Sequence, residues 1–327
     1  MSNRTRYFVV TAAAILAIGL TTGLVASYMG LPVAFSRAAG PDELQYVPAD
    51  AAVVAYANVR EIMDSQFRER FRQFEPDTSE REEFEAKTGV IIDDDINSVV
   101  AVLTGSIADS TTAPNGVLIL ASGRFEQGTL EKLALDHGGR AEDYNGRRIL
   151  IHQNDAGTVE MAIGFLEADL IALGGYEAIK KSIDAKGGLN IVSTNADLMR
   201  QIGELDASNA WAVGRFDAIA NSAHLPAEIQ AYIPAIQWFS AATHINGGVN
   251  GVFKAEARDE ESAKNMRDVL NGFLALAKMH SSAQPELKMM VDSVLLSGDG
   301  KNVAVSFSLP SELFDALAEL KKLEQPQ

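Results

Sequence analysis

The chain opens on a stretch with no polar period at all. Residues 7–30 carry no charged side chain and follow Arg4 and Arg6. At about 1.5 Å rise per residue such a stretch crosses a hydrocarbon core of about 30 Å. Beyond residue 31, Pro32, Gly40 and Pro41 break the chain, and the pattern becomes that of a folded body. The run AAVVAYANV over 51–59 predicts a strand. Met63, Phe67, Phe71 and Phe74 recur at helical spacing and predict a helix from about Glu61 with one apolar face. Ser79-x-x-Glu82 is a capping-box pattern and opens a short acidic helix that stops near Gly89. Strands are predicted over 98–103 and 117–122, then a helix over 129–137. A meander follows over 148–152, 160–165 and 170–173, entered at Asn145-Gly146. A helix over 176–185 ends the first half, and Thr194-x-x-Asp197 caps a connecting helix with Leu198, Ile202 and Leu205 on one face.

The second half replays the first. Ala55-Tyr56-Ala57-Asn58-Val59-Arg60 matches Ala210-Trp211-Ala212-Val213-Gly214-Arg215, each read as a strand running into a helix after the Arg. Strands over 238–245 and 248–257 correspond to those at 98–103 and 117–122. A long helix over 260–280 buries Met266, Val269, Leu270, Phe273, Leu274 and Ala277 by its spacing. Residues 291–297 and 302–308 read as a hairpin across Gly298-Asp299-Gly300-Lys301, and Ser311 caps a final helix bearing Leu313, Phe314, Leu317 and Leu320. The expected fold is therefore α+β: an N-terminal transmembrane helix followed by two similar units of antiparallel sheet with helices packed on one face. The segments are an anchor or signal over 1–30, a juxtamembrane linker over 31–45, a first unit over 46–187, a connecting helix over 188–207 and a second unit over 208–327.

Two readings of residues 7–30 stay open. A retained single-pass anchor keeps the N-terminus cytoplasmic, because Arg4 and Arg6 precede the span and only Arg37 follows closely. The body then lies outside the cytoplasm, on the periplasmic side of a bacterial inner membrane. A signal peptide cleaved near residue 38, after a small-x-small pattern such as Ser36-Arg37-Ala38, releases the body instead. Gly19 and Gly23 form a G-x-x-x-G pair that can pack one span on another, so a homodimer is one association the sequence allows.

Charge narrows the partners. All 44 acidic residues lie after residue 40 while three of the 28 basic ones precede it, which leaves the body at −19. Such a field repels phosphate, so nucleic acid is not an expected partner, and it opposes docking on anionic lipid. The chain has no cysteine, which excludes disulfides and thiolate chemistry.

Residues 46–60, with the Pro48-Ala49-Asp50 turn, and 89–100, with Gly89-Val-Ile-Ile-Asp93 leading through Asp95-Ile96 into a strand, resemble a group of uncharacterised exported bacterial proteins. That group has no assigned activity. The resemblance implies the location and architecture above and nothing about chemistry.

Catalytic motifs are missing from the sequence. There is no G-x-x-x-x-G-K-[ST] loop, no G-x-S-x-G elbow and no H-E-x-x-H, and the five histidines are scattered, so no cofactor is expected. Asp93, Asp94 and Asp95 are the sharpest acidic cluster and the only metal candidates. They lack the spacing of a calcium loop, and a solvated turn with one Asp bonding local amides is the simpler reading. Arg60 and Arg215, at matching ends of the repeated motif, are the binding candidates, either as anion or partner contacts or as arginines that close a strand-to-helix corner. The expected function is that of a non-enzymatic, membrane-tethered extracytoplasmic protein that binds a protein partner or supports an envelope assembly. A binding protein for a small or apolar ligand held between the units is the alternative, and an unrecognised hydrolase the third.

Overall fold

The structure is a computed structural model that describes residues 41–66, 68, 79–105, 116–153, 159–188, 190–205, 208–218, 235–281 and 285–311. The apolar stretch 7–30, the Phe67, Phe71 and Phe74 face and the final helix expected after Ser311 lie outside those residues. Among the described residues no helix is long and apolar enough to cross a membrane. The fold is mixed α+β, with antiparallel pairing between neighbouring strands within each unit. By contacts the chain falls into two units, residues 39–60 with 77–204 and residues 61–76 with 205–327.

The first unit begins with a 3-10 turn, Asp42–Tyr46. Its elements are β1 (Ala51–Ala57), α1 (Val59–Met63), α2 (Ser79–Thr88), α3 (Ile92–Asp95), β2 (Ile96–Thr104), β3 (Val117–Gly123), α4 (Gln127–Asp136), β4 (Arg140–Tyr144), β5 (Arg147–Gln153), β6 (Val159–Glu167), β7 (Leu170–Gly174), α5 (Tyr176–Ala185) and α6 (Ala196–Gly203). The last residues of α1 belong with the second unit. Strand order is β1-β2-β3-β7-β6-β5-β4. The residue pattern does not predict β4. It is a polar edge strand, and edges are commonly built from charged residues that discourage further pairing. The Asn145-Gly146 pair that joins it to β5 has φ of 49° and 75°, the positive values that a two-residue hairpin turn requires.

A sheet wet on one side was expected, and the centre of this one is not. Every residue of β7 is buried, as are five of the seven in β3. The sequence of β3, VLILASG, is a continuous apolar run rather than an alternation, as strands covered on both faces tend to be. Helix α5 lies against β3, β6 and β7. Its Ile179 is fully buried, and a Cβ added at Gly164 of β6 would come within 2.7 Å of the Ile179 Cγ2. Glycine at 164 is what lets the helix settle this close.

The connecting helix packs into the first unit rather than between units. The Val192 N–H donates to the Val47 carbonyl (2.8 Å), and the Ala49 N–H donates to the Asn190 carbonyl (3.0 Å). The cap of α6 is Asn195, whose Oδ1 accepts from the Leu198 N–H at 3.2 Å, one residue after the Thr194 that the sequence suggested.

The second unit contains β8 (Ala210–Arg215), β9 (Ile236–Ile245), β10 (Val249–Ala257), α7 (Glu260–Ser281), α8 (Pro285–Ser293), β11 (Leu295–Ser297) and β12 (Asn302–Leu309). Its strand order is β11-β12-β10-β9-β8. Helix α8 replaces the start of the strand expected over 291–297. Strand β10 buries positions of one parity only, 249, 251, 255 and 257, whereas β8 and β12 bury positions of both, so in this sheet the single-faced pattern is local to β10. Ala255, Ala257, Val303, Ala263 and Met266 form its core under α7, with Ile236, Phe253, Leu270 and Leu296 around them.

Replacing Gly164 by Ala should destabilise the protein by about 1–3 kcal/mol through overpacking, and Ile179→Ala by about 2–5 kcal/mol through cavity formation. In the double variant the new methyl enters the space that Ile179 vacates. Urea unfolding of the four proteins should therefore show a double-variant loss well short of the sum of the single losses; strict additivity would refute the contact.

Candidate interaction surface

The residues singled out from the sequence are tied into local structure. Asp93, Asp94 and Asp95 form the single turn α3 rather than an open loop. The Asp95 carboxylate accepts from the Ile91 N–H (2.7 Å) and pairs with Arg124 (2.8 Å). The Asp94 carbonyl accepts from both Arg60 (2.5 Å) and Arg124 (3.0 Å), and Arg60 also donates to Asn97 Oδ1 at 3.2 Å. Arg60 thus closes a corner, and Arg124, which the sequence does not single out, is its companion. Among the described residues no group of three or more His, Asp or Glu side chains could hold a metal ion.

Arg215 does not occupy the equivalent place. It is the last residue of β8, whereas Arg60 is the second residue of α1, after β1 has ended at Ala57. Its guanidinium grips Asp217 with two hydrogen bonds, at 3.0 and 2.5 Å. Those bonds hold the Asp217 carboxyl below the ordinary carboxylate range.

Two polar clusters in the first unit carry more charge. In one, Tyr46 donates to Glu167 (2.5 Å), Lys186 donates to the Tyr46 oxygen (2.5 Å) and also pairs with Glu167, and Arg147 reaches Glu167 at 3.3 Å. Burial pushes the Tyr46 phenol above its ordinary pKa. In the other, Tyr176 donates to Glu142, while Tyr144 and Asn145 both donate to Asp184 at 2.8 Å. The Lys180 ammonium sits over both rings, 5.0 Å from the Tyr144 centroid and 5.1 Å from that of Tyr176. The hydrogen bond to Glu142, with some desolvation, pushes Tyr176 up to about 12. These contacts clamp β4, β5 and β6 to α5 and to the 3-10 turn. They are joints rather than an open site.

The second unit differs. Helix α7 is capped by Asp259, whose carboxylate accepts from the Ser262 N–H at 2.8 Å. Arg267 donates to the carbonyls of Asn302 (2.7 Å) and Gly300 (3.3 Å), which pins the second turn of the helix to the β11–β12 hairpin. Ala263 and Met266 are buried on the sheet. Past Leu270 the apolar side chains come out into solvent. Phe273, expected in the core, is 39% exposed, Leu276 53% and Met279 73%. Val269, Leu270, Leu274 and Ala277, also expected in the core, are half-buried. At 100° per residue Gly272, Ala275, Leu276 and Met279 lie on one outward strip. A Cβ built at Gly272 would meet nothing within 4 Å. From Val269 to Ser281 the helix has no acidic residue, only Lys278 and His280. Met289 of α8 and Leu295 of β11 add exposed apolar surface to the same unit. Scattered exposed apolar residues need no explanation; here they run along one half of a single helix.

The tyrosine clusters set an alkaline limit on stability. A phenol whose pKa is raised by folding contributes stability that is complete below its unfolded pKa of about 10 and is lost as pH climbs through the folded value. Denaturant midpoints should therefore fall between pH 10 and about 12. Tyr176→Phe, which keeps the ring over Lys180, should reduce that fall; an unchanged fall would mean that Tyr176 is not held protonated by Glu142.

No protein-family model matches the chain, and no curated protein matches it. Among solved structures it is similar to crystal form I of TP0453, with a TM-score of 0.47 and 11% identity over 88% of this chain and 99% of that one. It is similar also to crystal form III of TP0453, with a TM-score of 0.49 and 9% identity over 86% of this chain and 100% of that one. At these identities no residue of TP0453 maps a role onto this chain.

Proposed function

We propose that this chain is a membrane-tethered extracytoplasmic protein that works by holding a protein partner rather than by catalysis, and that the outer half of α7 is where the partner sits. The observation that carries this reading is the exposed strip of Leu276, Met279 and the neighbouring Phe273 on a helix whose first half is packed. Fully burying a side chain of this size is worth about 1.5–3 kcal/mol, and these three have roughly half of that still to gain. The sum is comparable to the anchor residues of a modest interface, before the cost of association.

The rest of the chain supports the same reading. Residues 7–30, flanked by Arg4 and Arg6, supply a tether. The charged clusters of the first unit serve as joints between elements. The two units also run a similar course, in which β1-β2-β3 and β8-β9-β10 are meanders and a later strand, β7 or β12, returns beside the third. We read them as a structural duplication in which the second copy has been given the long helix.

The test is native mass spectrometry of the full-length protein, taken from its own host membrane in mild detergent, beside the double variant Leu276→Asn, Met279→Asn. Both side chains are largely exposed, so the unfolding free energy should fall by no more than about 1–2 kcal/mol, from lost helix propensity and partial burial, and circular dichroism should show the fold retained. The wild type should carry a bound polypeptide and the variant should lose it. A bare wild-type chain, or a partner retained equally by the variant, would sink the reading.

A further inference from the structure

We propose that Asn246 is a self-modification site, at which the Asn246-Gly247 pair converts to a succinimide and then, with water, to aspartate or isoaspartate. The proposal is independent of the α7 surface and of any partner. Its chemistry needs only the chain and water. The Gly247 backbone nitrogen gives up its proton and attacks the side-chain carbonyl carbon of Asn246. A C–N bond forms, and the carboxamide nitrogen takes a proton and leaves as ammonia. Water then opens the five-membered ring at either carbonyl. One opening leaves aspartate; the other leaves isoaspartate, whose main chain runs through Cβ.

Asparagine precedes glycine five times, at 115, 145, 246, 250 and 271. Glycine, with no Cβ, is the follower that crowds the attacking nitrogen least. Asn115 lies outside the described residues, and backbone context separates the other four. Asn271 lies inside α7, where the Gly272 N–H belongs to the helical ladder. Asn250 lies inside β10, opposite His244 and Ser308 of its two partner strands, and its Oδ1 accepts from the Ser308 hydroxyl at 2.8 Å. Asn145 sits in the β4–β5 turn with φ of 49°. That left-handed setting turns the next backbone nitrogen away from its own side chain. The Asn145 Nδ2 also donates to Asp184 at 2.8 Å. This bond anchors the leaving group and sets a carboxylate beside a carboxamide whose oxygen becomes negative during attack.

Asn246 has none of these restraints among the described residues. It is exposed, in the bend that joins β9 to β10. Its backbone N–H donates to the Gly248 carbonyl at 3.1 Å. Neither its carboxamide nor the Gly247 N–H hydrogen-bonds to a described residue. The product bears on the sheet. The connection is only Asn246-Gly247-Gly248, and Gly248 backs onto the Leu309 carbonyl, which a Cβ would approach to 2.5 Å. The extra main-chain carbon of isoaspartate therefore has little slack to enter. It strains the ladder at Val249, which is paired with Ile245 on one side and Leu309 on the other, all three buried. Aspartate adds a negative charge to a body already at −19 and leaves the main chain unchanged.

The test is peptide mapping by mass spectrometry of the purified full-length protein, held for weeks in mildly alkaline buffer, where the attacking nitrogen loses its proton more readily. Digestion at low pH prevents conversion during handling, and fragmentation separates 246 from 250. In the folded chain, conversion at 246 should run roughly tenfold or more faster than at 145, 250 or 271, because each of those must first break a hydrogen bond or leave a ladder. In denaturant the four, each followed by glycine, should converge. Asp184→Ala, checked for folding by circular dichroism, should speed conversion at 145 and leave 246 unchanged. The aged chain, which contains isoaspartate, should unfold at lower urea than the Asn246→Asp variant, which carries the charge without the extra carbon. Conversion at 145, 250 or 271 as fast as at 246 in the folded chain overturns the assignment. So does a folded chain in which 246 stays intact while the denatured chain reacts. An Asp184→Ala variant with 145 unchanged removes the protection assigned to that carboxylate, and an aged chain as stable as Asn246→Asp removes the strain assigned to the turn.

Discussion

In each unit the last long strand has to come back beside the third. Leu118 of β3 pairs with Gly174 of β7, and Val249 of β10 pairs with Leu309 of β12. These pairings close loops of more than fifty residues, so their entropic cost is met only when the ladder and its cover form together. What lies between the paired strands decides the character of each unit. In the first, the return passes through β4, β5 and β6, so β7 ends up as an interior strand with neighbours on both sides and no exposed residue. In the second, the return passes through α7, α8 and the three-residue β11, and the sheet stops there.

That difference leaves α7 half covered. Strands lie about 4.8 Å apart, so the sheet beyond β10 is only about 10 Å wide. A helix of 22 residues is about 33 Å long. Helix α7 touches β10, β12 and β11, and α8 lies against it. Its first three turns find the alanine-rich floor of Ala255, Ala257 and Val303, and Arg267 fastens them to the hairpin. The later turns have the same apolar composition without the same floor. The exposed strip follows from a long helix set on a short sheet.

Local signals in the sequence transferred to the structure well. Helix α5 begins and ends at the predicted residues, and the Asn145-Gly146 and Gly298–Lys301 turns are where the strands reverse. These features depend on backbone preference and need no partner elsewhere in the chain. What the sequence hid were properties set at a distance. Periodicity shows which side of α7 is apolar but not how far the sheet beneath it extends, so it places Phe273 in the core, where the structure has it 39% exposed. Strand β4 has no apolar alternation because it is an edge, and α8 was obscured because Val291, Val294, Leu295 and Leu296 read as a strand. Arg60 and Arg215 match in sequence, yet extra strand at the end of β8 puts Arg215 at a strand end beside Asp217 while Arg60 lies in a helix beside Asp94. Arg124 carried no signal because its partners lie about thirty residues back in the sequence.

Gly272 is where stability and contact pull apart. A glycine inside a helix costs about 1 kcal/mol relative to alanine. At a buried helix position, close packing can offset that cost, as the Gly164 contact with α5 does between strand and helix. At 272 the space around the missing Cβ is open, so nothing described in the same unit compensates. The same turns expose Leu276 and Met279 and lack the acidic residues that cover the rest of the body. The glycine and the exposed apolar side chains are each mildly unfavourable for an isolated chain, and both suit a surface that another chain covers. Their coincidence on one helix half, beyond the end of its own sheet, is what the proposal of a contact surface on α7 stands on.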